Sequence, residues 1–505
     1  MKRALLLTFL CAVAIPCGAA ETVALTILHT NDTHGHLLPF RYPAAARSAP
    51  GLDTLPTGVE LGGIARRAAL AKRIHDEQAA RGVPVWLVDA GDVSEGTAFS
   101  VEYHGQADVE AMAAAGYTLG VLGNHELSLS LAGLRELIAK TSYPLLCANA
   151  IVTATGQPLV APSLVREVGP LRVGVFGLLT HEAADYPAAR DGLTVEGEIA
   201  AARRIARELR TRADIVITVS HAGKTMDEQI AAGVPEIDVI VGGHSHSRMP
   251  SGELVWRAQR LAVDDVGGAV IVQAHQWGGE LGRLDLLFDK DAAGRWHVAR
   301  YRAELIPVTA DIPEDPATAA VVARFWQPIA ARYSEVLGQA SSDFVTLGRD
   351  QAEYSLVADA MRAALGTEIH IENQGGVRAP LCSGPIALAD VAMMDPFENT
   401  LVTFRISGRD LARALTELKP AVSGGRYRLD GDQLSRATVG GRKLDPERTY
   451  SASTTSFAAR SLRSRNLGLD FKDTGRKRRN TLAAYIRSQH RIHPAYDGRR
   501  EIVAP

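Results

Sequence analysis

Asp32 and His34 stand two residues apart in the run His29-Thr-Asn-Asp-Thr-His-Gly-His36, directly after the apolar stretch Val23-Ala-Leu-Thr-Ile-Leu28. An apolar run of that length reads as a buried strand. In an open α/β sheet such a strand delivers the next residues to the carboxyl edge, where ligands bind. A carboxylate oxygen and an imidazole nitrogen brought to one point suit a divalent cation. The pair alone carries little weight, because Asp-x-His arises by chance. Four later motifs join it: Gly91-Asp92, Gly123-Asn124-His125-Glu126, Ser220-His221-Ala-Gly223 and Gly242-Gly-His244-Ser-His246. Each closes an apolar stretch, and the neighbouring glycines permit tight turns and close backbone approach.

Together the motifs supply Asp32, His34, Asp92, Asn124, His221, His244 and His246. A nitrogen and oxygen set of this size, with one shared carboxylate, is the stock that two divalent ions require. Asp92, central in the series, is the expected bridge. A metal pair about 3.5–4 Å apart can hold a hydroxide and a phosphoryl oxygen at once, and lowers the pKa of the attacking water. His125, next to Asn124, is expected to project toward substrate and donate to the phosphoryl or leaving-group oxygen. A single strand-end histidine is more often a core or surface residue, and a single Gly-Asp a turn. Five such motifs in one domain point instead to a dinuclear phosphoesterase centre. His, Asp and Asn donors accept several metals, so Zn, Mn, Co or Mg all fit the expectation.

The elements that must position these motifs can be read in order. From Glu21 to about Ile306 strands and helices alternate, which is α/β patterning. Leu61 to Gly82, Asp108 to Ala115 and Leu131 to Lys140 read as helices. Val83 to Asp89, Thr118 to Leu122, Leu171 to Leu178, Ile215 to Val219 and Val239 to Val241 read as strands, and Val263 to His275 and Leu281 to Phe288 as closing antiparallel strands. Ala317 to Leu337, after a Pro-rich segment, reads as one linker helix, and a second α/β domain follows.

A chain of 505 residues is too long for one ordinary domain. The expected division is a leader over 1–20, a catalytic domain over 21–308, a linker with its helix over 309–337, and a substrate domain over 338–505. The leader reading rests on basic Lys2 and Arg3, apolar Ala4 to Ile15 and small Gly18-Ala19-Ala20, a secretory pattern too short to span a bilayer. The mature chain is therefore expected to be exported, periplasmic or secreted, after cleavage near Ala20, with no membrane span. A formal net charge of -2 provides no basic field for a nucleic acid polymer. No obligate protein partner is implied. Only Cys147 and Cys382 remain beyond the leader, so no disulfide framework and no cysteine metal site is expected.

Leu28-His-Thr-Asn-Asp-Thr-His-Gly35, Gly91-Asp92 with Gly96-Thr97, Gly123-Asn-His-Glu126, Ser220-His221 and Gly243-His-Ser-His246 resemble the motif series of the 5'-nucleotidase family. The resemblance covers nearly the whole mature chain. It implies a calcineurin-like metallophosphoesterase domain, two β-sheets flanked by helices, joined by a linker helix to a 5'-nucleotidase C-terminal domain. It also implies that Asp32, His34, Asp92 and His246 hold one metal, and Asp92, Asn124, His221 and His244 the other. Glu372-Asn-Gln-Gly-Gly-Val-Arg378 resembles the family loop whose Asn (Asn373) and glycine backbone (Gly375, Gly376) face substrate and whose Arg (Arg378) faces phosphate. A Gly turn presenting a bidentate donor suits a phosphate on its own chemistry. Asp395-Pro-Phe-Glu-Asn399 resembles the motif whose ring, Phe397, stacks on a base, and Phe457 stands where the family has its second ring. Two aromatic faces make a sequence-tolerant slot. Arg349 is the nearest match to an upstream phosphate-binding Arg, about two positions out of register.

The chain departs from the family at three places. Ser128 stands where the family pairs the catalytic His with an Asp. Ser461-Leu-Arg-Ser464 stands in place of Gly-Gly-Asp-Gly, whose Asp accepts from the ribose, and Arg463 cannot accept. Tyr354-Ser355 replaces a Gly-Asn. The expected function is an exported dinuclear phosphohydrolase that removes phosphate from nucleoside 5'-monophosphates or related small nucleotides by attack of metal-bound hydroxide. The alternatives are a metallophosphoesterase for another phosphoester, a cyclic nucleotide or a UDP-sugar, or a weakly catalytic nucleotide binder. The thiosulfate-ester hydrolase of sulfur oxidation shares the fold, and the intact Gly-Asn-His-Glu and Gly-Gly-Val-Arg motifs rank it low.

Overall fold

The computed structural model describes residues 22–48, 51–256 and 268–503. The expected leader and the start of the Val263 strand lie outside the described residues. The first domain is built on two six-stranded sheets. One runs Trp296–Pro307, Glu280–Lys290, Val23–Thr30, Val85–Asp89, Leu119–Val121, Leu145–Leu146 in edge-to-edge order. The other runs Glu253–Trp256, Gly268–Val272, Val239–Gly242, Ile215–His221, Leu171–Leu179, Ser163–Val168.

Alternation along each strand sends neighbouring side chains to opposite faces. Ile27, Val88 and Val121 from the first sheet meet Val175, Ile217, Val219, Val241 and Val272 from the second in one buried layer. On the outer faces, Leu28 and Leu87 pack with Ile64, Ala68 and Ile74 of the helix Ile64–Ala79. Val216 and Ile240 pack with Ile205 and Leu209 of the helix Glu198–Arg210. Strands covered on both faces read as continuous apolar runs, which is why they are legible in the sequence.

Strand direction assembles the site. Val23–Thr30 runs parallel to Val85–Asp89, with Thr30 opposite Asp89, and Val85–Asp89 runs parallel to Leu119–Val121. In the second sheet, Ile215–His221 runs parallel to Leu171–Leu179 and to Val239–Gly242. The polar motifs therefore leave the carboxyl ends of parallel strands in both halves of the sandwich.

Two expectations need correction. Within the described part of Val263 to His275, the strand Gly268–Val272 is antiparallel to Glu253–Trp256 but parallel to Val239–Gly242. The chain runs first to the sheet edge and then folds back between the two. The single helix expected over Ala317 to Leu337 is Pro316–Trp326, then a short Ala330–Tyr333, then the strand Val336–Ala340. Pro328 stands at the break, where it offers no backbone N–H to continue the helical ladder. The first of these helices is capped by Asp315, whose carboxylate accepts from Thr318 N at 2.8 Å. Its Val322 and Phe325 join the buried cluster that holds Met112 and Ala71.

The second domain carries a five-stranded sheet in the order Ala421–Ser423, Ile369–Glu372, Thr449–Thr455, Thr400–Ser407, Leu469–Lys477. The helices Ala352–Leu365 and Arg478–Gln489 share one buried cluster through Val357, Met361, Leu482 and Ile486. Leu411 and Leu415 of Gly408–Leu418 belong to another, with Ile369 and Phe404. Among the described residues, no helix is long and apolar enough to cross a membrane.

Candidate metal centre

The loops after five strands converge. His246 Nε2 lies 3.2 Å from Asp32 Oδ1 and 3.2 Å from His34 Nε2. His221 Nε2 lies 3.1 Å from Asp92 Oδ2 and 3.2 Å from Asn124 Oδ1. Asp92 Oδ2 is also 3.9 Å from His34 Nε2 and 3.8 Å from His125 Nε2. Asp32, His34 and His246 form one group whose donor atoms could share an ion, and Asp92, His221 and His244 another. All seven expected ligands thus gather at one place, with Asp92 between the two groups.

The donor set fits divalent cations. Asp32, His34, Asp92 and His221 are buried, and Asp32 Oδ1 has no well-formed hydrogen bond. His34 donates Nδ1–H to Ser94 O at 3.1 Å, and His221 donates Nδ1–H to Ala90 O at 2.6 Å. A carbonyl can only accept, so these bonds turn Nε2 of both rings toward the carboxylates, the arrangement that orients histidine ligands. Burial, with Arg378 and His125 nearby, holds His34 well below its ordinary pKa, so the ring is a neutral donor. Asn31 steadies Asp32, with Nδ2 2.7 Å from Asp32 Oδ2, while its own Oδ1 accepts from Ala274 N.

Backbone strain marks the same residues. Asp32, His34, Asp92, His244 and His246 have φ of 50°, 46°, 55°, 71° and 51°. Non-glycine residues in the left-handed region cost on the order of 1–2 kcal/mol each, a cost that collects where a fold over-determines a site. Glycine is required beside them: a Cβ on Gly123 would stand 2.1 Å from Asp92 Oδ1.

Glu126 enters the sequence reading only as part of a motif, yet it organises the loop Gly91 to Gly96. Its carboxylate accepts from Asp92 N, Val93 N, Ser94 N, Ser94 Oγ and Gly123 N at 2.8–3.2 Å. Asp92 Oδ1 in turn accepts from His125 N at 2.8 Å. Tyr186, not singled out from sequence, accepts from Asn124 Nδ2 at 2.8 Å, which turns Asn124 Oδ1 toward His221. Glu95, also missed from sequence, hydrogen bonds to His125 Nδ1. Its distance in sequence from His125 left no local signal. The net effect of burial, which opposes the charge, and of Asp92 and Glu95, which favour it, raises His125 above its ordinary pKa.

The second domain reaches this centre. Arg378 Nη2 lies 3.2 Å from His34 Nε2 and 3.4 Å from His125 Nε2. Phe397 stacks on the His125 ring with centroids 6.2 Å apart. In the Arg378 loop, Gly375 has φ 77° and its N–H donates to Tyr354 Oη at 2.9 Å. Gly376 has no room for a Cβ, which would lie 2.6 Å from Glu372 Oε1. Asn373 Oδ1 accepts from Thr455 Oγ1 at 3.4 Å. Phe457 is 49% exposed, with the Arg460 guanidinium 5.3 Å from its ring centre. Arg349 is not gathered here. It is exposed in the turn between Thr346–Leu347 and Asp350–Gln351, and its charge is felt by Asp430.

A two-sheet sandwich with acid and imidazole groups at its carboxyl edge defines a calcineurin-like metallophosphoesterase. Residues 25–248 match the calcineurin-like phosphoesterase model, and residues 336–462 match the model of the 5'-nucleotidase C-terminal domain. A 5'-nucleotidase of Bos taurus is 30% identical over 435 residues, 78% of this chain and 72% of that protein. Protein UshA of Yersinia enterocolitica is 27% identical over 493 residues, 87% of this chain and 86% of its own. The solved 5'-nucleotidase precursor of Thermus thermophilus superposes with a TM-score of 0.83 at 27% identity, covering 95% of this chain and 100% of that one. The chain belongs to the 5'-nucleotidase family and is a metal-dependent phosphoric ester hydrolase. The Thermus thermophilus sulfate thiohydrolase SoxB has the same fold at 20% identity and a TM-score of 0.81.

Proposed function

We propose that this protein is an exported phosphohydrolase that uses two divalent metal ions to remove phosphate from nucleoside 5'-monophosphates or closely related nucleotides. Asp32, His34, Asp92 and His246 would hold one ion, and Asp92, Asn124, His221 and His244 the other. When bound, such a pair lowers the pKa of an attacking water and neutralises charge on the phosphoryl oxygens. Arg378 meets the same phosphoryl group from the opposite side with a fork of donors that cannot lose its charge. His125 gives its Nδ1–H to Glu95; in the imidazolium form that Asp92 and Glu95 favour it also carries a proton at Nε2, and delivers that proton to the phosphoryl or leaving-group oxygen. Phe397 and Phe457 take the base, and Asn373, Gly375 and Gly376 line the approach. Export is supported by the basic and apolar start of the chain, with cleavage near Ala20.

One observation carries this reading: Arg378, from the nucleotidase domain, lies within hydrogen-bond distance of His34 and His125 at the donor cluster of the other domain. The test is a metal-supplemented activity screen with Mn²⁺, Zn²⁺, Co²⁺ and Mg²⁺. AMP and other nucleoside monophosphates are compared with an aryl phosphate, a cyclic nucleotide and a UDP-sugar. Faster turnover of nucleoside monophosphates is expected; AMP turned over no faster than the aryl phosphate overturns the nucleotide assignment. A second reading, a UDP-sugar or other phosphoester, is favoured by one feature. The helix Ser456–Ser464 carries Arg463 over the Phe471 ring, 4.8 Å from its centre, where the family has a ribose-accepting Asp.

A further inference from the structure

We propose that Glu95 is the positioning carboxylate of His125, supplied from the Asp92 loop in place of the Asp that Ser128 replaces. The inference rests on the reading of His125 as a proton donor to substrate. Glu95 Oε2 takes the Nδ1–H of His125, and the same oxygen accepts from Ser128 Oγ at 2.6 Å. The His125 side chain is 6% exposed and that of Glu95 20%, so this pair is not a freely solvated surface contact.

Backbone geometry gives a second, independent reason. Glu95 has φ of 66°, the left-handed region. A glutamate that only faced water would gain nothing there. At this φ the side chain leaves the loop toward the short turn Glu126–Ser128, which follows His125. The two segments are held in register by Glu126, which accepts from Asp92 N, Val93 N and Ser94 N on the Glu95 side and from Gly123 N on the His125 side. Ser128, which carries no charge of its own, donates to the Glu95 carboxylate and so helps orient it. An imidazole fixed through Nδ1 presents Nε2 in one direction, here toward Arg378 and Asp92. Aim and tautomer are what a group acting through another can contribute.

The test compares wild type, Glu95→Ala, Ser128→Asp and the double variant Glu95→Ala/Ser128→Asp, each assayed with divalent metal on a nucleoside monophosphate. Glu95→Ala is expected to lose kcat by about 100-fold, the lower range for a positioned acid–base group, with KM within threefold and metal content unchanged. The double variant restores a carboxylate from the neighbouring position and is expected to recover kcat at least tenfold over Glu95→Ala. Ser128→Asp alone crowds two carboxylates at one N–H and brings no gain. A separate readout uses metal-free protein: the downfield imidazole N–H resonance of His125 is expected in wild type and the double variant, and absent in Glu95→Ala. The proposal is overturned if Glu95→Ala keeps kcat within threefold, or if its loss is not recovered by the double variant. A wild type inactive on every nucleotide refutes the functional reading instead, and the resonance then decides the Glu95–His125 pairing.

Discussion

Arg378 Nη2 stands 3.2 Å from His34 Nε2, although 344 positions separate the two residues. A guanidinium has only donors to offer, and around it lie imidazole nitrogens and, beyond them, the Asp32 and Asp92 carboxylates. A phosphoryl group entering between Arg378 and the proposed metal ligands would meet donors from both domains. The contact therefore brings the proposed phosphate-binding Arg of one domain to the proposed metal ligands of the other.

Arg378→Ala is accordingly expected to lower kcat/KM for a nucleoside monophosphate by about 100-fold or more, the scale for removing one preorganised donor at a developing charge. Arg378→Lys is expected to recover little, because a point charge cannot reproduce the planar fork. Steady-state kinetics at saturating metal decide it, and a loss below threefold in Arg378→Ala would sink the assignment of this residue to the phosphate.

Asp92 sits between the two donor groups, with Oδ2 3.1 Å from His221 Nε2 and 3.9 Å from His34 Nε2. Asp92→Asn removes the charge that two cations would share. Wild type is expected to retain two equivalents of divalent metal per chain and the variant at most one. Activity should drop by more than about 100-fold, since disturbing a group that merely supports a ligand already costs 10- to 100-fold. Elemental analysis of dialysed protein gives the count. Equal metal content in both proteins would show that Asp92 does not bridge.

The reach of each interaction along the chain decides whether sequence could reveal it. Strands such as Ile215–His221 are buried on both faces, so their apolar runs announce them, and the ligand at the end of each run is local to it. His221 and Asp92 are legible for that reason. Glu95 is not, because its partner His125 lies 30 positions away on another loop and no periodicity links them. Tyr186 holds Asn124 across 62 positions and is equally silent. The helix after Pro316 reads too long because the apolar pattern continues through Pro328. There backbone chemistry overrides pattern. The direction of Gly268–Val272 depends on a fold-back between strands, which composition does not record.

Arg478 bears on the loops proposed to face substrate without touching the proposed metal ligands. It is fully buried and bonds Glu372 Oε1 at 2.7 Å, Asp395 Oδ2 at 2.9 Å and the Gly376 carbonyl. Glu372 opens the Arg378 loop and Asp395 precedes Phe397, so one guanidinium joins both segments expected to face the nucleotide. Arg478→Met takes the buried guanidinium from both carboxylates, leaving Glu372 with His370 Nε2 at 3.3 Å. Removing one partner of such a network costs about 3–5 kcal/mol. Denaturant unfolding should show a loss of that size. A loss under about 1 kcal/mol would mean that the carboxylates find other partners.

Asp227 gives a pH-dependent prediction. Its carboxyl is fully buried behind the His221 strand, and Oδ1 accepts from Ser220 Oγ at 2.6 Å. Burial pushes its pKa up to about 8, against the Ser220 hydrogen bond and the nearby His221. The folded state thus holds a proton that the unfolded chain releases near pH 4. When the folded pKa is the higher one, the unfolded state binds fewer protons across the window between the two values, and stability falls as pH rises through it. The contribution is fully present below pH 4 and is lost as pH passes about 8. Asp227→Asn keeps an acceptor for Ser220 and cannot ionise. In metal-free protein, the stability of the variant relative to wild type should therefore grow from pH 4 to pH 8 and level off above it. Urea unfolding at pH 5, 7 and 9 measures this difference, and a difference that is the same at all three would show that Asp227 is ionised in the folded protein throughout.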